Sequence, residues 1–278
     1  MIFYVDGRFV PEEEAVVSVL DRSFLYGDGL FETVRSYGGR LFLWAEHLDR
    51  LTHGAHLLQI PMPETPARLT AAATELLRLN QVENGLLRIQ LTRGVGRRGY
   101  SISGADNPRI IITLHPAPPP EMIMPRFDVW ISSIRIPAHD PLAAVKTCNK
   151  LHQILARAEA ELAGAHEAVL LNTEGLVAEA ATSNLFWVEG GAVFTPPVAA
   201  GALAGVTRGF VMKLCAELQI GCHEAALPPS KMTAKDGLFL TTSSLEIVEV
   251  ASVNAKPVAS SPVTRRLREA YRAATGRS

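Results

Sequence analysis

Residues 30–60 read LFETVRSYGGRLFLWAEHLDRLTHGAHLLQI, and this stretch combines two kinds of hydrophobic spacing. Segments 30–37 and 41–44 are rich in β-branched and aromatic residues and flank a Gly-Gly pair, which is typical of a β-hairpin. Over residues 45–60 the apolar side chains recur every three or four positions, which predicts an amphipathic helix. The stretch therefore predicts a small sheet that packs against a helix.

The rest of the chain continues this mixture of hairpins, strands and helices. Hairpins are predicted around Asp6-Gly7 and Gly190-Gly191, and helices over 151–163, 206–218 and 262–274. Because the strands are spaced and joined by hairpins, the pattern disfavours a doubly wound parallel sheet. The sequence therefore predicts an α+β fold.

A proline cluster divides the chain. Pro116 and the three consecutive prolines 118–120 form the only concentrated proline stretch, which is typical of a short, stiff connector. We therefore predict an interdomain connector at 116–121. It would join a small N-terminal α+β domain, residues 1–115, to a larger C-terminal domain, residues 122–278.

The composition excludes several classes of protein. The 278 residues are 47% hydrophobic and 20% charged with a net charge of −1, which is typical of a soluble globular protein and argues against a nucleic-acid partner. No apolar run is long enough to span a membrane, and the N-terminus has no apolar signal core. The three cysteines and the pair His53 and His56 lack metal-ligand spacing, so we expect no metal site and a reducing, cytoplasmic location.

The lysines are few, which narrows the search for a nucleophile. Of 27 basic residues only six are lysines, and none precedes Lys146. Residues 142–145 in front of it are apolar, and an apolar environment favours the uncharged amine that attacks a carbonyl group. Lys146 is therefore the candidate nucleophile. A surface lysine at the start of a helix would have the same local sequence.

Two segments could bind an anion. Val206 and Thr207 follow Gly205 at the start of a predicted helix, whose unpaired N–H groups and threonine hydroxyl suit a phosphate. Thr242 and Ser243 belong to a run of four hydroxyl residues after an apolar strand, which suits an anion at a strand end. An ordinary helix cap and an ordinary Ser/Thr turn explain these segments equally well.

Three further charged residues stand out. Glu179 lies among small apolar residues, where it is either a solvated or capping carboxylate or the partner of a protonated ring nitrogen. Arg88 interrupts an apolar strand, and Arg98 lies in the Gly-rich loop 93–99. Because arginine binds carboxylates with two parallel hydrogen bonds, Arg88 and Arg98 could hold an anionic substrate.

Several local strings carry a resemblance to a known family. They are residues 26–35 (YGDGLFETVR), 47–51 (HLDRL), 183–187 (SNLFW), 195–197 (TPP), 205–208 (GVTR) and 240–244 (LTTSS). Together and in this order, over about residues 1–260, they resemble the fold type IV, or class IV aminotransferase, family of pyridoxal phosphate enzymes. The resemblance implies a two-domain fold of that type, with pyridoxal 5'-phosphate as cofactor and the C-terminal domain as its main binding domain.

The resemblance also implies roles for individual residues. Lys146 would form the imine with the cofactor and move the proton, and Glu179 would pair with the pyridine nitrogen. The phosphate would be held by five residues: Arg50, Val206, Thr207, Thr242 and Ser243. It further implies a homodimer, in which a loop of one subunit borders the site of the other.

Members of the resembled family differ in the substrates that they use. With Arg88 and Arg98, the resemblance makes Phe31 and Tyr100 candidate substrate-binding residues. Phe31 and Tyr100 stand where similar D-amino-acid aminotransferases have Tyr and His, which weakens the assignment to those enzymes. The loop 93–101, the string 184–187 and Asn149 resemble 4-amino-4-deoxychorismate lyases, whose substrate has two carboxylates for Arg88 and Arg98. The leading hypothesis is such a lyase, giving 4-aminobenzoate and pyruvate. The alternative is an amino-acid transaminase, for branched-chain or D-amino acids with a 2-oxo acid acceptor.

Overall fold

The computed structural model describes residues 1–117 and 126–276. The chain divides into two compact units. Unit 1 comprises Met1–Pro119 and Val145–Asn149, and unit 2 comprises Pro120–Ala144 and Lys150–Ser278. No helix in the described part of the chain is long and apolar enough to cross a membrane.

Unit 1 is built on one antiparallel sheet. Its elements in chain order are β1 (Ile2–Val5), β2 (Arg8–Pro11), α1 (Arg22–Tyr26), β3 (Gly29–Tyr37), β4 (Arg40–Leu41), α2 (Trp44–Leu57), α3 (Pro66–Asn80), β5 (Gly85–Thr92) and β6 (Arg109–Pro116). The strands lie in the order β2-β1-β6-β5-β3-β4, and neighbouring strands are antiparallel. The predicted hairpin at Asp6-Gly7 is confirmed by the pairing of β1 with β2.

The helices α2 and α3 supply apolar faces to the core of unit 1. Leu51 of α2 and Leu76 of α3 are buried in one cluster with Val34, Leu87 and Ile112 from three strands. Each buried side chain removes apolar surface from water, and this burial is the main favourable contribution to the fold. The spacing that predicted helix 45–60 is therefore the spacing of the buried face of α2.

Unit 2 is built on a larger mixed sheet. Its elements are β7 (Arg126–Ile136), α4 (Leu151–Leu162), β8 (Glu167–Asn172), β9 (Val177–Ala180), β10 (Asn184–Glu189), β11 (Ala192–Thr195), α5 (Val206–Glu217), β12 (Cys222–Glu224), β13 (Gly237–Thr242), β14 (Glu246–Val253), β15 (Lys256–Pro257) and α6 (Pro262–Ala274). The strand order is β12-β11-β10-β13-β14-β7-β8-β9, with β15 paired to β14. The pairs β11–β12, β14–β7 and β7–β8 are parallel.

Two differences from the predicted elements have local causes. The predicted strand 41–44 ends early, because Leu43 takes a left-handed φ of 53° and α2 begins at Trp44. The strand β14 escaped prediction, because the buried carboxylates Glu246 and Glu249 interrupt its apolar pattern.

The predicted domain limits differ from the structure at one segment. Residues 145–149 belong to unit 1 and not to the C-terminal unit. The reason is backbone pairing: Thr147 forms an antiparallel bridge with Leu30, and the Cys148 N–H donates to Gly29 O at 2.9 Å. Of the predicted connector 116–121, residues 118–121 lie outside the described residues.

A substitution in α3 tests the packing of unit 1. Leu76 is fully buried, so Leu76→Ala should lower the free energy of unfolding by about 2–5 kcal/mol, through lost transfer energy and a residual cavity. Leu79 on the same helix is 37% exposed, and Leu79→Ala is the matched control with a much smaller expected loss. Urea unfolding measures both. Equal losses would contradict the packing described for α3.

Candidate active site

Lys146 lies in an extended segment beside β3, outside any helix. Its carbonyl accepts a hydrogen bond from the Phe31 N–H at 3.0 Å, and its Nζ lies 4.6 Å from the centre of the Phe31 ring. The residue is half-buried, and the following helix begins only at Leu151. The alternative interpretation of Lys146 as a surface lysine at a helix start is therefore wrong.

Arg88 approaches the same aromatic ring. Its guanidinium carbon lies 3.9 Å from the centre of the Phe31 ring, which is close enough for a cation–π contact. In the pairing of β3 with β5, Arg88 stands opposite Thr33, so it projects from the same face of the sheet as Phe31. The ring of Phe31 therefore contacts both the Arg88 and the Lys146 side chains.

The charge of Arg88 is not balanced by a carboxylate of unit 1. Within residues 1–117 and 145–149, no acidic side chain pairs with it, and burial lowers the pKa of its guanidinium below the ordinary value. A half-buried guanidinium without a carboxylate partner favours an anionic ligand, because such a ligand restores the lost electrostatic stabilisation. The structure thus brings three predicted residues together: Phe31, Arg88 and Lys146.

Arg50 is held by a carboxylate that sequence analysis did not assign to the site. Glu32 of β3 accepts hydrogen bonds from Arg50 Nε at 2.7 Å and from Arg50 Nη2 at 2.6 Å. His47, one turn earlier on α2, bonds through Nδ1 to Glu32 Oε2 at 2.7 Å. The only sequence signal for Glu32 was a charged residue inside an apolar strand.

Electrostatics determine the protonation of this cluster. Burial alone would raise the pKa of Glu32, but hydrogen bonds from Arg50 and His47 outweigh it and lower the pKa to about 2. Burial lowers the pKa of His47, and the positive charges of Arg50 and Lys146 add to that lowering. At neutral pH Glu32 is therefore ionised and His47 is neutral. Since the carboxylate can only accept, His47 carries its hydrogen on Nδ1.

Glu179 lies on β9 in unit 2, where a backbone group orients it. Its Oε2 accepts a hydrogen bond from the Leu203 N–H at 2.8 Å. The carbonyl of Leu203 accepts in turn from Asn184 Nδ2 at 2.8 Å, so a side chain of β10 fixes the loop that holds the carboxylate. The structure therefore excludes the interpretation of Glu179 as a fully solvated residue.

The start of α5 and the end of β13 meet in unit 2. Gly205 precedes α5 without a capping side chain, so the amides of Val206 and Thr207 are not capped by a neighbouring side chain. The Thr207 hydroxyl lies 3.3 Å from the hydroxyl of Ser243, and Thr242 Oγ1 lies 3.4 Å from Ser244 Oγ.

This combination of donors fits a phosphate group. Helix N-terminal amides and clustered hydroxyls are the donors that bind phosphate in proteins, and the helix dipole favours negative charge at that end. The structure thus brings together Val206, Thr207 and Ser243, with Thr242 as the immediate neighbour of Ser243.

The remaining predicted substrate residues belong to an exposed loop of unit 1. Arg98 is exposed, and Tyr100 is 86% exposed with its ring packed edge-on against Tyr26 at 5.5 Å. Neither residue contacts Phe31 or Arg88 in the described part of unit 1. Their proposed role therefore stays a prediction.

Comparison with known sequences assigns the chain to a group of enzymes. Residues 29–253 match the family described as amino-transferase class IV. A provisionally named branched-chain-amino-acid aminotransferase of Methanocaldococcus jannaschii is 36% identical over 275 residues, which cover 98% of this chain and 96% of the relative. The aminodeoxychorismate lyase of Bacillus subtilis is 29% identical, with 91% of this chain and 86% of the relative covered.

Solved structures give the same result for the fold. The branched-chain amino acid aminotransferase of Escherichia coli superposes with a TM-score of 0.92 at 29% identity, covering 97% of this chain and 93% of that chain. A second branched-chain amino acid aminotransferase, solved as a complex with N-(5'-phosphopyridoxyl)-L-glutamate, has a TM-score of 0.90 at 28% identity and covers 100% of this chain and 95% of that chain. The predicted fold class is confirmed.

The Glu32 cluster yields a prediction on stability and pH. Glu32→Gln leaves the Arg50 guanidinium buried without its counter-charge, which should cost about 3–5 kcal/mol of unfolding free energy at pH 7. Because the folded-state pKa of Glu32, about 2, lies below the ordinary value of 4.5, the stabilisation is complete above about pH 5 and is lost as the pH falls toward 2. The difference in unfolding free energy between wild type and Glu32→Gln should therefore be about 1 kcal/mol smaller at pH 4 than at pH 7.

Urea unfolding at the two pH values measures this difference. Glu75→Gln is the control, because Glu75 pairs with Arg78 on the exposed face of α3, where solvent screens the charges. A cost for Glu32→Gln that matches the control, or that does not change with pH, would contradict the buried ion pair.

Proposed function

Because the chain belongs to the amino-transferase class IV family, we propose that it is an aminotransferase that transfers the amino group of a neutral amino acid to a 2-oxo acid. Members of the family are pyridoxal-phosphate-dependent aminotransferases or lyases, so the chain is an enzyme and pyridoxal phosphate is its cofactor. The observation that carries the proposal is the cluster in unit 1, where Lys146 and Arg88 contact the ring of Phe31.

The residues that the family resemblance assigns to the cofactor would hold it. In the proposal, Lys146 Nζ would condense with the aldehyde carbon with loss of water, and Glu179 would pair with the ring nitrogen. The phosphate would lie on the Val206 and Thr207 amides and on the hydroxyls of Thr207, Thr242 and Ser243, which form a suitable donor set. Arg50 would add a positive charge to this phosphate site. Its two hydrogen bonds to Glu32 would fix the orientation of the guanidinium plane.

Two side chains of the protein, Glu179 and Lys146, would hold and transfer the protons. When bound, pyridoxal phosphate supplies a carbonyl group that condenses with amines and a ring that accepts electrons. Glu179 would keep the proton on the ring nitrogen, because its carboxylate is oriented by the Leu203 N–H. Lys146 would remove the proton at the substrate Cα and deliver it to the cofactor C4' through the same Nζ.

Arg88 and Phe31 would select the substrate. The unbalanced guanidinium of Arg88 suits a carboxylate of the substrate, and the ring of Phe31 presents an apolar surface beside Lys146. A neutral amino acid has both features, a carboxylate and an apolar side chain. A branched-chain amino acid is the leading substrate, since the relative provisionally named for it is 36% identical to this chain, against 29% for a D-alanine aminotransferase and for the aminodeoxychorismate lyase.

The lyase remains the second candidate. It is favoured by the match to the Bacillus subtilis aminodeoxychorismate lyase and by the two arginines Arg88 and Arg98, which suit a substrate with two carboxylates. Two of the sequence features that favoured it have packing roles in the structure. Trp187 is buried against Phe194, and Asn149 donates through Nδ2 to the Gly27 carbonyl at 3.1 Å. These features therefore do not distinguish the substrates, and the transaminase becomes the first candidate.

We also keep the homodimer as a proposal. Unit 1 exposes large apolar side chains at Leu20, Phe24 and Leu25, and α4 exposes Leu151, Ile154 and Leu155. Exposed apolar groups of this kind are typical of subunit interfaces.

The three cysteines are free thiols, which is compatible with the proposed cytoplasmic location.

Replacement of the lysine tests the chemistry. Lys146→Ala should abolish the absorbance band of the lysine-bound cofactor and lower activity by at least about 10³-fold, because no other group replaces the covalent link and the proton transfer. Lys150→Ala is the matched control and should keep both. Borohydride trapping followed by peptide mapping measures the link directly. Label on another lysine would contradict the proposal.

One assay separates the two candidate reactions. Valine or isoleucine added without an acceptor should convert the bound cofactor to its amino form, and 2-oxoglutarate should restore the original spectrum. Aminodeoxychorismate added without any oxo acid should yield no pyruvate. Pyruvate and 4-aminobenzoate from that substrate, with no response to the amino acids, would reject the transaminase and support the lyase. D-alanine tests the remaining substrate class.

A further inference from the structure

The exposed loop of residues 94–104 is anchored from beneath by one buried arginine. Arg22, at the start of α1, is 3% exposed. Its Nη1 donates to Gly99 O at 2.8 Å and to Ser101 O at 3.1 Å, and its Nη2 donates to Tyr100 O at 3.3 Å. Three successive carbonyls of an irregular segment thus converge on a single guanidinium.

Asp28 holds that guanidinium and a second one. Its Oδ2 accepts from Arg22 Nε at 2.8 Å and from Arg93 Nε at 2.8 Å, and its Oδ1 accepts from Arg93 Nη2 at 3.0 Å. Arg93 also donates to the carbonyls of Leu58 and Gln59 just after α2, at 2.7 and 2.9 Å. One carboxylate therefore connects the loop, α1 and the end of α2.

The charges make Asp28 indispensable to this arrangement. Arg22 and Arg93 are both buried, and without the carboxylate between them two cations would face each other in a medium of low polarity. Burial alone would raise the pKa of Asp28, but hydrogen bonds from Arg93 and Arg22 outweigh it and keep the pKa below its ordinary value. Asp28 is therefore ionised at neutral pH.

Close packing restricts the backbone of the loop where it passes over Arg22. A Cβ added at Gly96 would lie 2.9 Å from the Ala105 Cβ and 3.0 Å from the Arg22 Cδ. The tip of the loop is different, because Arg97, Arg98 and Tyr100 are exposed. Tyr26 contributes an edge-on contact with the Tyr100 ring and accepts a hydrogen bond from the Gly99 N–H at 3.3 Å. An exposed tip buries little apolar surface, so its conformation depends on these contacts and on the hydrogen bonds from Arg22.

We propose that Asp28 is a positioning residue that determines substrate specificity. It acts through Arg22 and Arg93 to fix the conformation of the loop of residues 94–104, and with it the placement of Arg98 and Tyr100 for the substrate. The inference rests on the proposed function, which assigns this loop to substrate binding. It adds that a residue without substrate contact determines how well a substrate carboxylate is captured. The contacts of Arg50 with Glu32 and of Lys146 with Phe31 include neither Asp28 nor its two arginines.

The test uses the nearly isosteric substitution Asp28→Asn in the full-length enzyme loaded with pyridoxal phosphate. Trypsin cleavage after Arg97 and Arg98, followed by mass spectrometry, should become at least about tenfold faster. The KM for the amino substrate should rise about tenfold, whereas kcat should change by less than about threefold and the cofactor absorbance should be retained. Asp106→Asn, which changes an exposed carboxylate near the loop, should match wild type in every measurement.

Arg22→Lys is the second variant, because it keeps the positive charge, but its three N–H groups cannot bond Asp28 and three carbonyls at once. It should show the same faster cleavage and raised KM, and it decides the question if Asp28→Asn does not fold. Cleavage at the wild-type rate, or a loss of kcat or cofactor at unchanged KM, would overturn the proposal. Failure of the proposed function would appear separately, as missing cofactor absorbance in the wild type, and the cleavage rates would still test the anchoring of the loop.

Discussion

The alternation of side chains along β3 is the constraint on which the chemistry of unit 1 depends. Successive residues of a strand point to opposite faces of the sheet. Phe31 therefore meets Arg88 and Lys146, whereas its neighbour Glu32 turns to α2 and binds Arg50 and His47. A shift of one residue in the register of β3 would exchange these two partners and disrupt both groups of contacts.

Unit 1 buries several arginines, and their partners separate supporting roles from binding roles. Arg50 and the pair Arg22 and Arg93 each have a carboxylate within 3 Å, Glu32 and Asp28 respectively. These ion pairs are hydrogen-bonded on both oxygens, which offsets the cost of removing charges from water. Within the described part of unit 1, Arg88 has the ring of Phe31 and no carboxylate. The charge of Arg88 therefore suits an anionic ligand.

The two candidate reactions show where sequence motifs lose their discriminating power. Trp187 and Asn149 stand in strings that resemble lyases, but in the structure one fills the core of unit 2 and the other bonds the Gly27 carbonyl. Packing of this kind is compatible with either reaction. In the proposed function, substrate choice depends instead on Arg88 and on the loop that carries Arg98 and Tyr100.

The amino-acid sequence by itself determined the α+β class, the helices that carry apolar faces, and the family, because periodicity and motif order are local properties of the chain. It also singled out Lys146 and Arg88, since a rare lysine and a charge inside an apolar strand are visible without a fold. Only the tertiary structure decided that residues 145–149 pair with β3, that Glu32 serves Arg50, and that Asp28 joins two arginines. Each of these contacts joins residues distant in sequence or on different elements, and no local pattern records which partner will neutralise a buried charge.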